Sequence, residues 1–141
     1  FLGYLLYHWP INNLPLDYNP KELALLIMEF KGDLLMIRGN CDSRVDEMVT
    51  STKMYDYYSI GRLLFTHGDL LKKYSSRLFK RIVFYGHTHI MDIKKVGKTY
   101  YINPGSVTFP KEGEASFMIL EGNSLKVYNM EKEIILEKVL K

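Results

Sequence analysis

Two histidines separated by one residue stand directly after a short apolar run. His87 and His89 follow residues 82–85, a β-prone segment that Gly86 ends. The run predicts a buried strand, and the glycine allows the backbone to approach a neighbouring group closely. Neutral imidazoles in a loop at a strand end are suited to binding zinc, manganese or iron. The pair therefore indicates a metal site; a polar loop that binds no metal is the alternative.

Two other apolar runs end in the same way. Residues 34–37 precede Asn40, and residues 63–66 precede His67. In open α/β sheets, groups at the carboxyl ends of strands lie at one edge, so the three strand ends are expected to converge. Asn40, His67 and His87 would then meet although they are distant in sequence. The alternatives are that Asn40 only caps its turn and that His67 is a structural histidine.

Helices must alternate with these strands to bring their ends together. Asn19 and Pro20 predict a helix start, with Gly32 as its end. Its predicted buried face consists of Leu23, Leu26, Ile27 and Phe30. A helical turn is predicted at 44–48 and a short amphipathic helix at 70–80. The pattern of early alternation predicts an α/β layered sheet.

The remaining segments have the pattern of turns and hairpins. Residues 8–19 are rich in Pro and Asn and predict a loop. Residues 57–60 and 63–66 predict a hairpin with Gly61 at its tip. From residue 90 onward alternating strands dominate, with turns at Gly97 and Gly122. Residues 1–4 resemble a strand end, which predicts that the domain is incomplete at its N-terminus.

Composition excludes several classes of protein. The 141 residues, 47% of them apolar and 25% charged, predict one globular domain spanning 1–141. The net charge of +3 is spread along the chain, so charge does not indicate nucleic acid. Cys41 is the single cysteine, which excludes an internal disulfide and fits a reducing compartment. No apolar stretch is long enough to cross a bilayer and no signal peptide is visible, so we expect a cytoplasmic protein without membrane contact.

Taken in order, these motifs resemble the calcineurin-like metallophosphoesterase superfamily, and within it the small bacterial and archaeal phosphodiesterases of the YfcE type. The resemblance covers nearly the whole chain. It is carried by Gly39-Asn40-Cys41-Asp42, Thr66-His67-Gly68 and Gly86-His87-Thr88-His89, by the loop Asn103-Pro104-Gly105-Ser106, and by His8, Pro10 and Asn12.

The resemblance implies a four-layer αββα sandwich and a metal-dependent phosphodiesterase that hydrolyses small phosphodiesters with a metal-bound hydroxide. Asn40, His67 and His87 would bind one metal, and His89 the other. Manganese is the expected cofactor, with zinc, iron and nickel as alternatives. Two further site residues are implied: Cys41, at a position that protonates the leaving group or holds phosphate, with Asp42 orienting Cys41 or a water. The alternative for Cys41 is a small buried thiol without a catalytic role. His8 would contact the phosphate, or is only a loop residue, and a homodimer is left open.

The chain departs from the family pattern at two points. The Asp-x-His motif that begins the pattern is absent from this sequence, and Tyr4 aligns with the aspartate that bridges the two metals in relatives. A phenol with a pKa near 10 is a poor replacement for a bridging carboxylate. The second metal site is therefore expected to be incomplete. The alternative function is a non-catalytic phosphoesterase-like scaffold that binds a partner, as the related retromer subunit does.

Overall fold

The computed structural model of the protein describes residues 1–6, 14, 17–71 and 81–141. These residues form two helices and ten strands. In chain order the elements are α1 (Pro20–Glu29), β1 (Met36–Ile37), α2 (Arg44–Thr50), β2 (Met54–Tyr55), β3 (Tyr57–Ile60), β4 (Leu63–Thr66), β5 (Ile82–Phe84), β6 (Met91–Val96), β7 (Thr99–Pro104), β8 (Ser116–Glu121), β9 (Ser124–Asn129) and β10 (Ile134–Val139).

The largest sheet has the strand order β3-β4-β5-β7-β6. Its three central strands are parallel, and β3 and β6 are antiparallel strands at the edges. All three residues of β5 are buried, as expected for an apolar strand covered on both faces. Phe65 in β4 pairs with Phe84 in β5, so these parallel strands end at the same edge. His67 and the loop after Phe84 therefore emerge side by side.

The antiparallel sheet β10-β9-β8 faces this sheet. Burial alternates along β9, because one face is covered and the other meets solvent. The two sheets share one apolar core, formed by Ile82, Phe84, Tyr100, Ile102, Leu125 and Leu140. This core fixes β5 and β7 and therefore the positions at which their carboxyl ends emerge.

A second core lies under the helices. Strand β1 pairs in parallel with β2, and α1 and α2 contact each other. The buried residues here are Leu5, Leu6, Ala24, Met36 and Met54. The N-terminal segment lies along the edge of β1 that does not pair with β2. The nitrogen of Phe1 donates to the Leu35 carbonyl, and the nitrogen of Ile37 donates to the Phe1 carbonyl, both at 2.8 Å. These bonds follow a parallel-strand pattern, but the segment is not a strand.

Helix α1 begins as the sequence predicts, but it buries a different face. The Asn19 side chain accepts the backbone N–H of Glu22, and Pro20 occupies the first turn. Ala24 is buried, whereas Leu26 is 59% and Phe30 57% exposed, so the predicted buried face is wrong at those two positions. The face that packs with Met36 runs through residues 23, 24 and 27, and residue 26 lies outside it.

Most of the other predicted elements are confirmed. The hairpin of β3 and β4 turns at Gly61, and α2 extends the predicted turn to Thr50. The strand predicted at 34–37 is shorter, beginning at Met36. Most of the predicted helix 70–80 and loop 8–19, with His8, lies outside the described residues. Within the part that is described, no helix is long and apolar enough to cross a membrane.

We predict that truncating Ile102 destabilises the protein strongly. This side chain is fully buried between the two sheets, so Ile102→Ala removes apolar contacts and leaves a cavity. The free energy of unfolding should fall by about 2–5 kcal/mol in urea titrations. Ile60→Ala is the matched control, because Ile60 is 59% exposed and its loss should cost much less. Equal losses for the two variants would contradict the assigned core.

Candidate functional site

Four side-chain atoms from four separate segments meet beyond the ends of β1, β4 and β5. Asn40 Oδ1 lies 3.0 Å from His67 Nε2, which lies 3.1 Å from His87 Nδ1. The hydroxyl of Tyr4 donates to Asn40 Oδ1 at 2.5 Å and lies 3.1 Å from His87 Nδ1. The predicted convergence of Asn40, His67 and His87 is therefore confirmed, whereas their binding of a metal stays a prediction.

The backbone fixes the tautomer of His67. Its Nδ1 lies 2.7 Å from the carbonyl oxygen of Leu2, which only accepts hydrogen bonds, so Nδ1 carries the hydrogen. Burial lowers the pKa of His67, and the imidazole is therefore neutral near pH 7. Its Nε2 then presents a lone pair to Asn40 and His87. A histidine held in this way is oriented as metal-ligating histidines usually are.

The meeting point has more lone pairs than hydrogens. Four contacts of 2.5–3.1 Å join Tyr4 Oη, Asn40 Oδ1, His67 Nε2 and His87 Nδ1 in a closed ring. With the amide oxygen of Asn40 directed at the ring, the hydrogens come from the Tyr4 hydroxyl and the His87 Nδ1 position. The His67–Asn40 contact then places two lone pairs 3.0 Å apart. Lone pairs gathered in this way can bind a cation or accept a donated hydrogen.

A backbone carbonyl fixes the tautomer of His89 as it does that of His67, but His89 is not part of the ring. Its Nδ1 lies 3.1 Å from the carbonyl of Phe109, so Nε2 is free of hydrogen and available as a ligand. Burial lowers the pKa of His89 as well. Its ring lies edge-on to Tyr4, with centroids 5.4 Å apart. Sequence reasoning did not find the Leu2 and Phe109 carbonyls, because backbone groups leave no residue-type signal.

Tyr4 is held among the histidines by Asp42. The Asp42 carboxylate accepts the backbone N–H groups of Tyr4, Leu5 and Gly39 at 2.7–2.9 Å. This binds the N-terminal segment to the loop after β1. The Tyr4 ring packs edge-on against His67, with centroids 4.6 Å apart, and burial raises the pKa of Tyr4 to about 12. The phenol is therefore protonated near pH 7.

Two glycines allow this close approach. A Cβ atom on Gly3 would lie 2.5 Å from His67 Nδ1 and 2.7 Å from the Cα of Gly39. Gly3 also has a φ of +105°, a conformation that side chains rarely adopt. A Cβ atom on Gly39 would lie 3.0 Å from the Tyr4 nitrogen, a tight contact, so Gly3 requires glycine and Gly39 favours it.

The loop between His87 and His89 has a strained backbone. Both histidines have positive φ, +66° and +60°, which costs of the order of 1–3 kcal/mol each. Asn103, which is fully buried, holds the loop by donating to the Gly86 carbonyl and the Thr88 hydroxyl at 2.8 and 2.9 Å. The Asn103 side chain also accepts the backbone N–H of Gly105, so the same residue shapes its own turn and holds the histidine loop.

The two predicted catalytic residues have different surroundings. Cys41 is partly buried beside the Tyr4 hydroxyl, and burial raises the pKa of its thiol. Both carboxylate oxygens of Asp42 accept backbone N–H groups. Asp42 therefore acts as a positioning residue for the N-terminal segment, and a catalytic role for Cys41 or Asp42 stays a prediction.

A cavity of about 530 Å³ adjoins the histidines. It lies between the two large sheets, with the N-terminal segment on one side and β8 on the other. Its walls are mostly apolar and include Phe65 and Phe84, whose rings stack with centroids 5.3 Å apart. The residues lining it include His67, His87 and His89, so a ligand of this size would contact the imidazoles directly.

The donor set fits one metal ion better than two. Asn40, His67 and His87 present neutral oxygen and nitrogen donors about 3 Å apart, which suits a first-row divalent ion. For a second ion the described residues offer His89, and no bridging carboxylate stands beside it. Nowhere in the described part do three His, Cys, Asp or Glu side chains form a metal-binding group. The ring instead combines two imidazoles with an amide and a phenol.

Comparison with known proteins identifies the relatives of this arrangement. The family model of the calcineurin-like phosphoesterase superfamily domain matches residues 17–124. The phosphodiesterase YfcE of Escherichia coli K12 is 34% identical over 146 aligned residues, which cover 98% of this chain and 79% of that protein.

Solved structures give the same result for the fold. The structure of YfcE, a phosphoesterase from E. coli, superposes with a TM-score of 0.83 at 30% identity, covering 99% of this chain and 82% of the other. This confirms the predicted α/β metallophosphoesterase fold. Vacuolar protein sorting 29 from Cryptosporidium parvum has the same fold at 20% identity and a TM-score of 0.59, with coverage of 98% and 95%.

We predict that Asp42→Asn destabilises the protein and loosens the site. The exchange places an amide donor where three backbone N–H groups require acceptors. The free energy of unfolding in urea should fall by about 2 kcal/mol or more, given the strength of hydrogen bonds to charged groups. Asp33→Asn, at an exposed position before β1, is the control and should stay within about 0.5 kcal/mol of wild type. An unchanged stability for Asp42→Asn would show that these three hydrogen bonds do not hold the N-terminal segment in place.

Proposed function

This chain belongs to the calcineurin-like phosphoesterase superfamily, and on that premise we propose that it is a metal-dependent phosphodiesterase for small phosphodiesters. The observation that carries the proposal is the ring of lone pairs formed by Asn40, His67 and His87. A divalent ion at this place would be coordinated by these lone pairs. The tautomers fixed by the Leu2 and Phe109 carbonyls support the same interpretation, because both leave Nε2 free.

We assign three residues to one metal. Asn40, His67 and His87 would hold it, and His89 is the donor that the described residues offer to a second ion. When bound, a divalent metal polarises a phosphoryl oxygen and lowers the pKa of a coordinated water. The chain itself contributes orientation, because Asp42 and Asn103 hold the segments that carry the ligands. The neighbouring cavity gives space for the ester groups of the substrate.

The finer features of the proposal follow from the chemistry of the chain. Manganese is the proposed metal because imidazole and amide donors accept it and cellular availability decides among similar ions. The single cysteine fits a cytoplasmic location. The site requires no nucleic acid or membrane partner, and the described residues assemble its ring within one chain, so a homodimer is not needed for metal binding.

A non-catalytic phosphoesterase-like scaffold is the second candidate. Tyr4 favours it, because the phenol stands where the motif order places a bridging aspartate in relatives. A protein of this kind would bind metal or a partner without hydrolysing phosphodiesters. Measuring metal binding and hydrolysis on the same preparation separates the two candidates.

We predict that the protein hydrolyses bis-p-nitrophenyl phosphate when Mn²⁺ is added and that Asn40→Ala reduces the rate at least about 100-fold. Residues behind the ligands typically contribute 10–100-fold, so loss of a direct ligand should cost more. Release of p-nitrophenol gives the rate, and isothermal titration with Mn²⁺ gives the affinity. Asn123→Ala is the matched control, since Asn123 lies in the exposed turn between β8 and β9 and is not a site residue.

Three outcomes are informative. Loss of both hydrolysis and Mn²⁺ binding in Asn40→Ala, with Asn123→Ala at wild-type rates, supports the proposal. Metal binding that depends on Asn40 without any hydrolysis by the wild type supports the scaffold. Equal hydrolysis by wild type and Asn40→Ala would reject the assigned site.

A further inference from the structure

The phenol oxygen of Tyr4 closes the ring of donors around one point. The four sides of the ring measure 2.5 Å from Tyr4 Oη to Asn40 Oδ1, 3.0 Å from Asn40 Oδ1 to His67 Nε2, 3.1 Å from His67 Nε2 to His87 Nδ1, and 3.1 Å from His87 Nδ1 back to Tyr4 Oη. Donor atoms about 3 Å apart have the separation expected of ligands that share one ion, because metal–nitrogen and metal–oxygen bonds are about 2.0–2.2 Å long.

Tyr4 reaches this corner at a cost in backbone energy. Its φ of +61° is unfavourable for a bulky residue and costs of the order of 1–3 kcal/mol. Asp42 holds the strained residue by its backbone nitrogen at 2.8 Å, and His67 packs edge-on to its ring. Strain that is maintained by a dedicated clamp is typical of functional positions. Tyr4 is therefore fixed in the ring and does not simply fill space beside it.

We propose that Tyr4 is the fourth protein ligand of a single metal ion, which it binds through Oη together with Asn40, His67 and His87. The inference rests on the metal site of the proposed function and goes beyond it in two respects. It gives the phenol a terminal ligand role, and it sets the stoichiometry of the ring at one ion per chain. The class of ion is a first-row transition metal, because the donors are two imidazoles and two oxygens.

Coordination by Tyr4 would replace its O–H bond by an O–metal bond. The proton would pass to solvent, and the phenolate would supply one negative charge to the ion. A bound divalent cation favours such proton loss, as it does for a coordinated water.

The first test uses the wild-type protein loaded with Fe²⁺ and oxidised in air. A phenolate oxygen bound to ferric iron gives a visible charge-transfer band, which imidazole and amide ligands do not give. We expect this band at one iron per chain, and its loss in Tyr4→Phe. Tyr58→Phe is the matched control, since Tyr58 lies on the edge strand β3 and packs against Tyr55. A colourless iron-loaded wild type, or a band that persists in Tyr4→Phe, would overturn the assignment.

The second test measures affinity by isothermal titration with Mn²⁺ and with Zn²⁺. Tyr4→Phe should weaken binding at least about 10-fold, and Tyr58→Phe should leave it unchanged. Far-ultraviolet circular dichroism verifies the fold of each variant, and the wild-type iron spectrum stands as a test even where Tyr4→Phe is unfolded. Unchanged or tighter binding in a folded Tyr4→Phe would show that the phenol blocks the ring. In that event Mn²⁺ binding that is lost in Asn40→Ala still supports the proposed function, whereas absence of all metal binding by the wild type removes both.

Discussion

The hydrogen bond between His67 Nδ1 and the Leu2 carbonyl determines most of what the site can do. It fixes the imidazole tautomer and directs the Nε2 lone pair toward Asn40 and His87. It also joins the N-terminal segment to the end of β4, so a backbone carbonyl decides the chemistry of a side chain on another element. His67 is almost fully buried, and its alternative partners are therefore other protein groups instead of water. If this bond were absent, the ring would have no defined arrangement of donors and hydrogens.

The site combines strain with rigid support. Tyr4, His87 and His89 all have left-handed backbone conformations, and each lies beside a polar side chain that anchors the neighbouring backbone. Asp42 performs this role for the N-terminal segment, and Asn103 for the loop after β5. The two apolar cores next to the site stabilise the strands that carry these anchors, and Ile102 and Met36 in those cores are at most 1% exposed. Packing remote from the site is thus coupled to the distances between its donor atoms.

Local sequence signals predicted the strands, the hairpin and the cap of α1, because each depends on neighbouring residues. Asn19-Pro20 and Gly61 are examples in which residue type fixes backbone geometry directly. The predicted inner face of α1 was wrong at Leu26 and Phe30, because the choice of face depends on what packs against the helix and not on the helix alone. The convergence of Asn40, His67 and His87 followed from strand ends that share one edge. The carbonyl partners of the histidines and the hydrogen bonds of Asp42 could not be predicted from the sequence, because they depend on distances between segments up to 65 residues apart.

The walls of the cavity beside the ring contain no lysine or arginine among the described residues that line it. Phosphate-binding sites without such side chains must obtain their positive charge from elsewhere. Here an ion in the ring would be the local source, and the apolar walls would strengthen its attraction for an anion by lowering the dielectric constant. Capture of a phosphodiester would then be linked thermodynamically to metal occupancy. Ion and anion would be expected to raise each other's affinity by the same factor, so cellular metal supply would control recognition as well as turnover.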